Sequence, residues 1–131
     1  MMLVKTKLGP SRIHGTGLFA DEPIGAGTVV WKFTPGFDVA YTREEAEALP
    51  EPKRSEILSL IHSYISAHDG KFHLNAGEAI YFNHSPIPNV IDGNTEECVA
   101  VRDIAVGEEL TIDYRKFPEE NPTNFEVIVP V

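Results

Sequence analysis

The chain is poor in cysteine, in positive charge and in long apolar runs. One cysteine, Cys98, stands among 131 residues. A single thiol closes no internal disulfide and builds no cysteine zinc cluster. It lies in the apolar run Cys98-Val99-Ala100-Val101, where a buried small hydrophobe is the plain reading. That thiol count suits a reducing compartment. No apolar stretch approaches the ~18 residues of a membrane helix. No charged-then-apolar leader resembles a secretion signal. There are 11 Lys and Arg against 20 Asp and Glu, a formal net charge of −9. Such a surface repels phosphate backbones, so direct nucleic-acid binding is not expected, and basic partners are favoured. Acidity also simply keeps a protein soluble, which is its commoner meaning. No repeat and no low-complexity tract interrupts the chain.

What is present fits one domain. Hydrophobic residues make up 42%, enough for a core. Residues 3–8 alternate apolar and polar, as a half-buried strand does. Gly15-Thr16-Gly17 breaks the chain before Leu18-Phe19-Ala20. Pro23-Ile24-Gly25-Ala26-Gly27 is a turn cluster. Residues 28–33 are β-branched and aromatic, a further strand closed by Pro35-Gly36. Thr42-Arg43-Glu44-Glu45 is a capping box with Thr42 as N-cap. Its helix runs to about Leu49 and stops at Pro50. Pro52 opens a second helix with Ile57, Leu58, Ile61 and Ile65 at helical spacing. Asp69-Gly70 suggests a hairpin between Ser63-Tyr64-Ile65-Ser66 and Lys71-Phe72-His73-Leu74. Residues 98–104 form an apolar run, Ala105-Val106-Gly107-Glu108 a turn and Leu110-Thr111-Ile112 a short strand. The class is α+β, mostly β.

Three segments carry polar chemistry. Gly15-Thr16-Gly17 lets a backbone approach a ligand closely. With no third glycine and no helix after it, it is no dinucleotide fingerprint, and alone it is a tight turn. Asn83-His84-Ser85, between Tyr81-Phe82 and Pro86-Ile87-Pro88-Asn89, holds more donors and acceptors than a strand end needs. Alone it is about equally a hydrogen-bonded turn. Glu108-Glu109 reads as a solvated turn, and Asp113-Tyr114 as a core tyrosine with its partner.

Taken in order, these segments resemble a minimal, stand-alone SET-domain protein-lysine methyltransferase. The resemblance spans residues 3–114, nearly the whole chain. It implies a SET fold of small curved β-sheets in residues 1–114, with a helical insert over about 42–65. A C-terminal pseudoknot-like threading completes that fold, and an arm follows over 115–131. It implies methyl transfer from S-adenosylmethionine to a lysine of a basic protein, histone-like, otherwise chromosomal, or ribosomal. No metal is implied. Gly15, Thr16, Gly17 and Leu18 match the family's cofactor loop. Asn83 is expected to bind the amino or carboxylate end of the cofactor, and His84 to touch the adenine side through its backbone. Tyr114 matches the catalytic tyrosine. Tyr64 and Ile112 match channel positions, Ile112 standing where many members carry Phe or Tyr. An Ile brings no hydroxyl to restrain the amine, so more than one methyl is expected to fit. Ile80 stands where an Arg is frequent, Pro86 replaces the usual Cys, and no cysteine-rich zinc segment follows Tyr114. Phe117 or Phe125 would close the channel in its place, or simply pack the tail. A homodimer is a second way to complete that channel. The expected location is cytoplasmic, or with the nucleoid or nucleus through the substrate, with no membrane. The alternative is a catalytically weak SET-fold module that binds proteins.

Overall fold

A computed structural model describes residues 1–56, 72–74, 77–94 and 97–113. Along these residues run nine short strands: β1 (Thr6–Pro10), β2 (Thr16–Ala20), β3 (Val29–Lys32), β4 (Val39–Tyr41), β5 (Phe72–Leu74), β6 (Asn83–His84), β7 (Val90–Asn94), β8 (Glu97–Ala100) and β9 (Thr111–Ile112). One helix, α1, spans Arg43–Glu47, and a 3-10 turn spans Gly77–Tyr81. The strands form small sheets: β1 with β2, β3-β8-β7, β4 with β5, and β6 with β9. All pairs are antiparallel except β6–β9, which is parallel.

Strand β2 shows why these residues make a sheet edge into a core. Leu18 and Ala20 point inward and are fully buried, while Phe19 between them is only half-buried. That is the period-2 pattern of a strand with one face covered. Leu18, Val30, Val90, Ile104 and Leu110 are the largest fully buried side chains, each from a different segment. Each contributes roughly 1.5–3 kcal/mol by burial, so the small sheets hold one another through a shared centre. Two backbone bonds between Ile24 and Ile104, 2.9 and 2.8 Å, clip the turn before β3 to the turn after β8.

The expected capping of α1 is present. The Thr42 hydroxyl accepts from the Glu45 N–H at 3.0 Å, which satisfies one of the orphan donors of a helix start. The helix ends at Glu47, with Ala48 as C-cap, two residues before Pro50. A helical turn begins again after Pro52, over residues 53–56. One strand expectation needs correction. Residues 3–8 are not one strand: the Leu3 N–H bonds the Val30 carbonyl at 2.8 Å, whereas Thr6–Pro10 pairs with β2. The alternation runs across the division, with Val4 and Thr6 half-buried and Leu3, Lys5 and Lys7 exposed. Phe72–Leu74 pairs with Val39–Tyr41. The proposed hairpin partner at 63–66 and the second helix beyond Glu56 lie outside the described residues.

Candidate active site

Loop 11–15 joins β1 to β2, and Ser11 shapes it. The Ser11 Oγ accepts from the N–H groups of Ile13 at 2.9 Å and His14 at 3.2 Å. The Ser11 N–H bonds the Gly15 carbonyl at 2.8 Å, closing the turn. Gly15 has φ +48°, a left-handed backbone that disfavours side chains. Gly17 is needed for a different reason. A Cβ there would stand 2.5 Å from Oε2 of Glu109 and 3.0 Å from Cβ of Ser11.

Glu109 is therefore drawn in against the loop. The Ser11 hydroxyl donates to both its carboxylate oxygens, at 2.8 and 2.9 Å. Asn83 Nδ2 donates to Glu109 Oε2 at 2.9 Å. The same Nδ2 reaches the carbonyls of His14 at 3.0 Å and Thr16 at 3.4 Å. One amide thus ties β6 to both the loop and the strand that follows it. Glu108, its neighbour, does the opposite and faces solvent in an ion pair with Arg102 at 3.0 Å.

The parallel pair β6–β9 underlies this meeting. Asn83 lies opposite Thr111 and His84 opposite Ile112. A parallel pair cannot be joined by a tight turn, and here β7, β8 and two turns intervene. Asn89, buried just before β7, clamps the crossing. Its Nδ2 donates to the Glu109 carbonyl at 2.8 Å, and its Oδ1 accepts from the Thr111 N–H at 2.9 Å. Both backbone groups flank Leu110, which itself bonds the Leu18 carbonyl at 2.7 Å. His84 and Asp113 are buried, with Nδ1 and Oδ1 3.6 Å apart.

Residues 15–115 match the SET domain family. The chain belongs to the SET-domain family. It is 36% identical over 122 residues to the histone-lysine N-methyltransferase, H3 lysine-4 specific, of Schizosaccharomyces pombe, covering 86% of this chain and 13% of that protein. It is 32% identical over 121 residues to human histone-lysine N-methyltransferase 2B, covering 87% of this chain and 4% of that protein. The chain thus spans a small fraction of either relative. A crystal structure of a candidate histone methyltransferase from Plasmodium falciparum superposes with a TM-score of 0.60 at 23% identity, covering 86% of this chain and 95% of that one. The small sheets and the parallel β6–β9 crossing are those of the SET fold.

Within this SET domain, Asn83 reaches the loop that holds Gly15, Thr16 and Gly17 through the His14 and Thr16 carbonyls, whereas His84, next to it in β6, lies opposite Ile112. The Leu18 side chain is fully buried in the core, and its carbonyl accepts from the Leu110 N–H. Ile112 is buried too, in the core cluster, opposite His84. Tyr114, Tyr64, Phe117 and Phe125 lie outside the described residues. Ile80, at the position where Arg is frequent, is 47% exposed. The residues that sequence reading missed are Ser11, Asn89 and Glu109. Asn89 carried one signal, its place at the end of the Asn-His-Ser segment. Ser11 and Glu109 carried none locally, because their partnership spans 98 residues. Among the described residues, no group of three or more His, Cys, Asp or Glu could hold a metal ion.

Proposed function

We propose that this SET domain transfers methyl groups from S-adenosylmethionine to lysine side chains of a basic protein, a histone-like or other chromosomal protein or a ribosomal protein. Both curated relatives are named as histone-lysine N-methyltransferases, and a surface of net charge −9 suits a basic substrate.

The observation that carries the reading is the state of the Asn83 amide. Its donor side is committed to the carbonyls of His14 and Thr16 and to Glu109. Its Oδ1 makes no hydrogen bond among the described residues. A fixed acceptor beside a loop whose glycines admit close approach suits the ammonium end of an amino-acid group. Gly15, Thr16, Gly17, Asn83 and His84 would hold the cofactor, which supplies a methyl group on a sulfonium when bound. The chain's own residues have the remaining work. A lysine amine attacks only when neutral, and an apolar channel favours that form. Tyr114, matched to the family's catalytic tyrosine, would orient the amine with its hydroxyl. The burial of the His84 imidazole beside Asp113 favours a scaffold role over that of a general base.

Radiolabelled methyl transfer into a panel of basic proteins tests the proposal, with the target lysine mapped by mass spectrometry. Labelling that is abolished by Tyr114→Phe supports it. Binding of S-adenosylmethionine without labelling of any basic protein would instead support a binding module.

A further inference from the structure

We propose that Glu109 is a positioning residue that fixes which way the Asn83 amide faces, and thereby presents Oδ1 to the cofactor's ammonium group. The proposal rests on reading loop 11–17 as the S-adenosylmethionine site.

The two ends of a carboxamide have nearly the same shape, so orientation is chosen by neighbours. Asn83 Nδ2 faces three acceptors: the His14 carbonyl at 3.0 Å, the Thr16 carbonyl at 3.4 Å and Glu109 Oε2 at 2.9 Å. Two of these are backbone and no side-chain substitution removes them. The Thr16 contact is long. Glu109 is the short bond to a carboxylate, and an ionised carboxylate can only accept. Such charge-assisted bonds are about twice as strong as neutral ones. Turning the amide over would set Oδ1 against that carboxylate.

The carboxylate is itself held in place. Ser11 Oγ donates to both of its oxygens, and Ser11 in turn takes the N–H groups of Ile13 and His14. No cation draws Glu109 aside among the described residues; its side-chain partners are Ser11 and Asn83. Gly17 leaves the space in which it lies. One carboxylate therefore sets both the loop and the amide that faces the ligand.

Glu109→Gln tests this, because a glutamine has nearly the same size but removes the charged acceptor and can offer an NH2, which leaves only the His14 and Thr16 carbonyls to hold the amide's direction. Titration calorimetry would compare three ligands: S-adenosylmethionine and S-adenosylhomocysteine, which carry the ammonium group, and methylthioadenosine, which lacks the amino-acid end. The expected result is a loss of about tenfold or more for the first two. Methylthioadenosine should stay within about twofold. A parallel loss for all three would reduce Glu109 to a structural role, and unchanged S-adenosylmethionine binding would overturn the proposal outright. A second measurement needs no ligand. In the free protein, the Asn83 side-chain NH2 resonances should shift and exchange faster with water in Glu109→Gln, while backbone resonances away from the loop stay in place. Unmoved NH2 resonances would exclude the orienting bond. If the wild type binds none of the three ligands, the cofactor reading falls, and those resonances decide separately whether Glu109 sets the amide.

Discussion

Gly17 and Glu109 share a space that has room for only one side chain: a Cβ on Gly17 would fall 2.5 Å from Oε2 of Glu109. Ordinarily the end of a glutamate moves aside easily. This one is held by Ser11 and Asn83, so displacing it disturbs the loop as well.

Gly17→Ala is therefore expected to fold with a stability loss of about 1–3 kcal/mol, the usual cost of overpacking. Its affinity for S-adenosylmethionine should fall about tenfold or more, since the displaced Glu109 releases two of its charge-assisted contacts. Thermal melting and titration calorimetry read the two effects apart. Affinity equal to wild type would mean that Glu109 moves without consequence for the site.

Asn89 supplies a prediction about the fold alone. Asn89→Ala leaves the Glu109 carbonyl and the Thr111 N–H without the partners they have at 2.8 and 2.9 Å. Each unsatisfied buried group costs about 1–3 kcal/mol, so a total loss of about 2–6 kcal/mol is expected in urea unfolding. Thr111→Val keeps the Thr111 N–H bond and loses only the hydroxyl contacts at 3.3 and 3.4 Å. It leaves the buried Asn89 N–H without that acceptor and should cost about 1–3 kcal/mol. A reversed order of the two variants would show that the crossing is not clamped by Asn89.

Glu51 gives an acid-side signature. Its pKa is lowered from the ordinary 4.5, chiefly by the Ser55 hydroxyl hydrogen bond and then by that of Arg54. A depressed folded-state pKa adds stability that is present above the unfolded value and lost as pH falls through the folded one. The side chain is exposed, so the effect is local and screened by salt. Carboxyl titration by NMR should place Glu51 below the ordinary glutamate value, and Ser55→Ala should move it back up. An unchanged midpoint in that variant contradicts the assigned cause.

Product analysis bears on Ile112. It carries no hydroxyl and is buried opposite His84. Given the proposed methyl transfer, mass spectrometry of exhaustively methylated substrate should show di- or trimethyl-lysine. A strictly monomethylated product would contradict it.

Several elements could be read from residues close together in the chain. Thr42 was identifiable as a helix cap because its partner, Glu45, lies three residues on. The turn at Gly107 and the strand at Thr111–Ile112 were visible for the same reason. The pairing of Phe72–Leu74 with Val39–Tyr41 was not, because nothing in either segment names its partner. The division of residues 3–8 between two sheets was hidden as well, since both halves keep the same alternation.

The sequence by itself determined the family, through the order of Gly15-Thr16-Gly17, Asn83-His84-Ser85 and Gly107-Glu108-Glu109-Leu110-Thr111-Ile112-Asp113-Tyr114. It also singled out Asn83 as a candidate site residue. Only the tertiary structure distinguished Glu109, turned inward, from Glu108 in its surface pair with Arg102. It alone gave the Asn83 amide a direction and made Asn89 the clamp. Local preference acts over a few residues, whereas Asn83 meets Glu109 across 26 positions and Ser11 meets it across 98. Such contacts exist only once the β6–β9 crossing has brought those distant segments together.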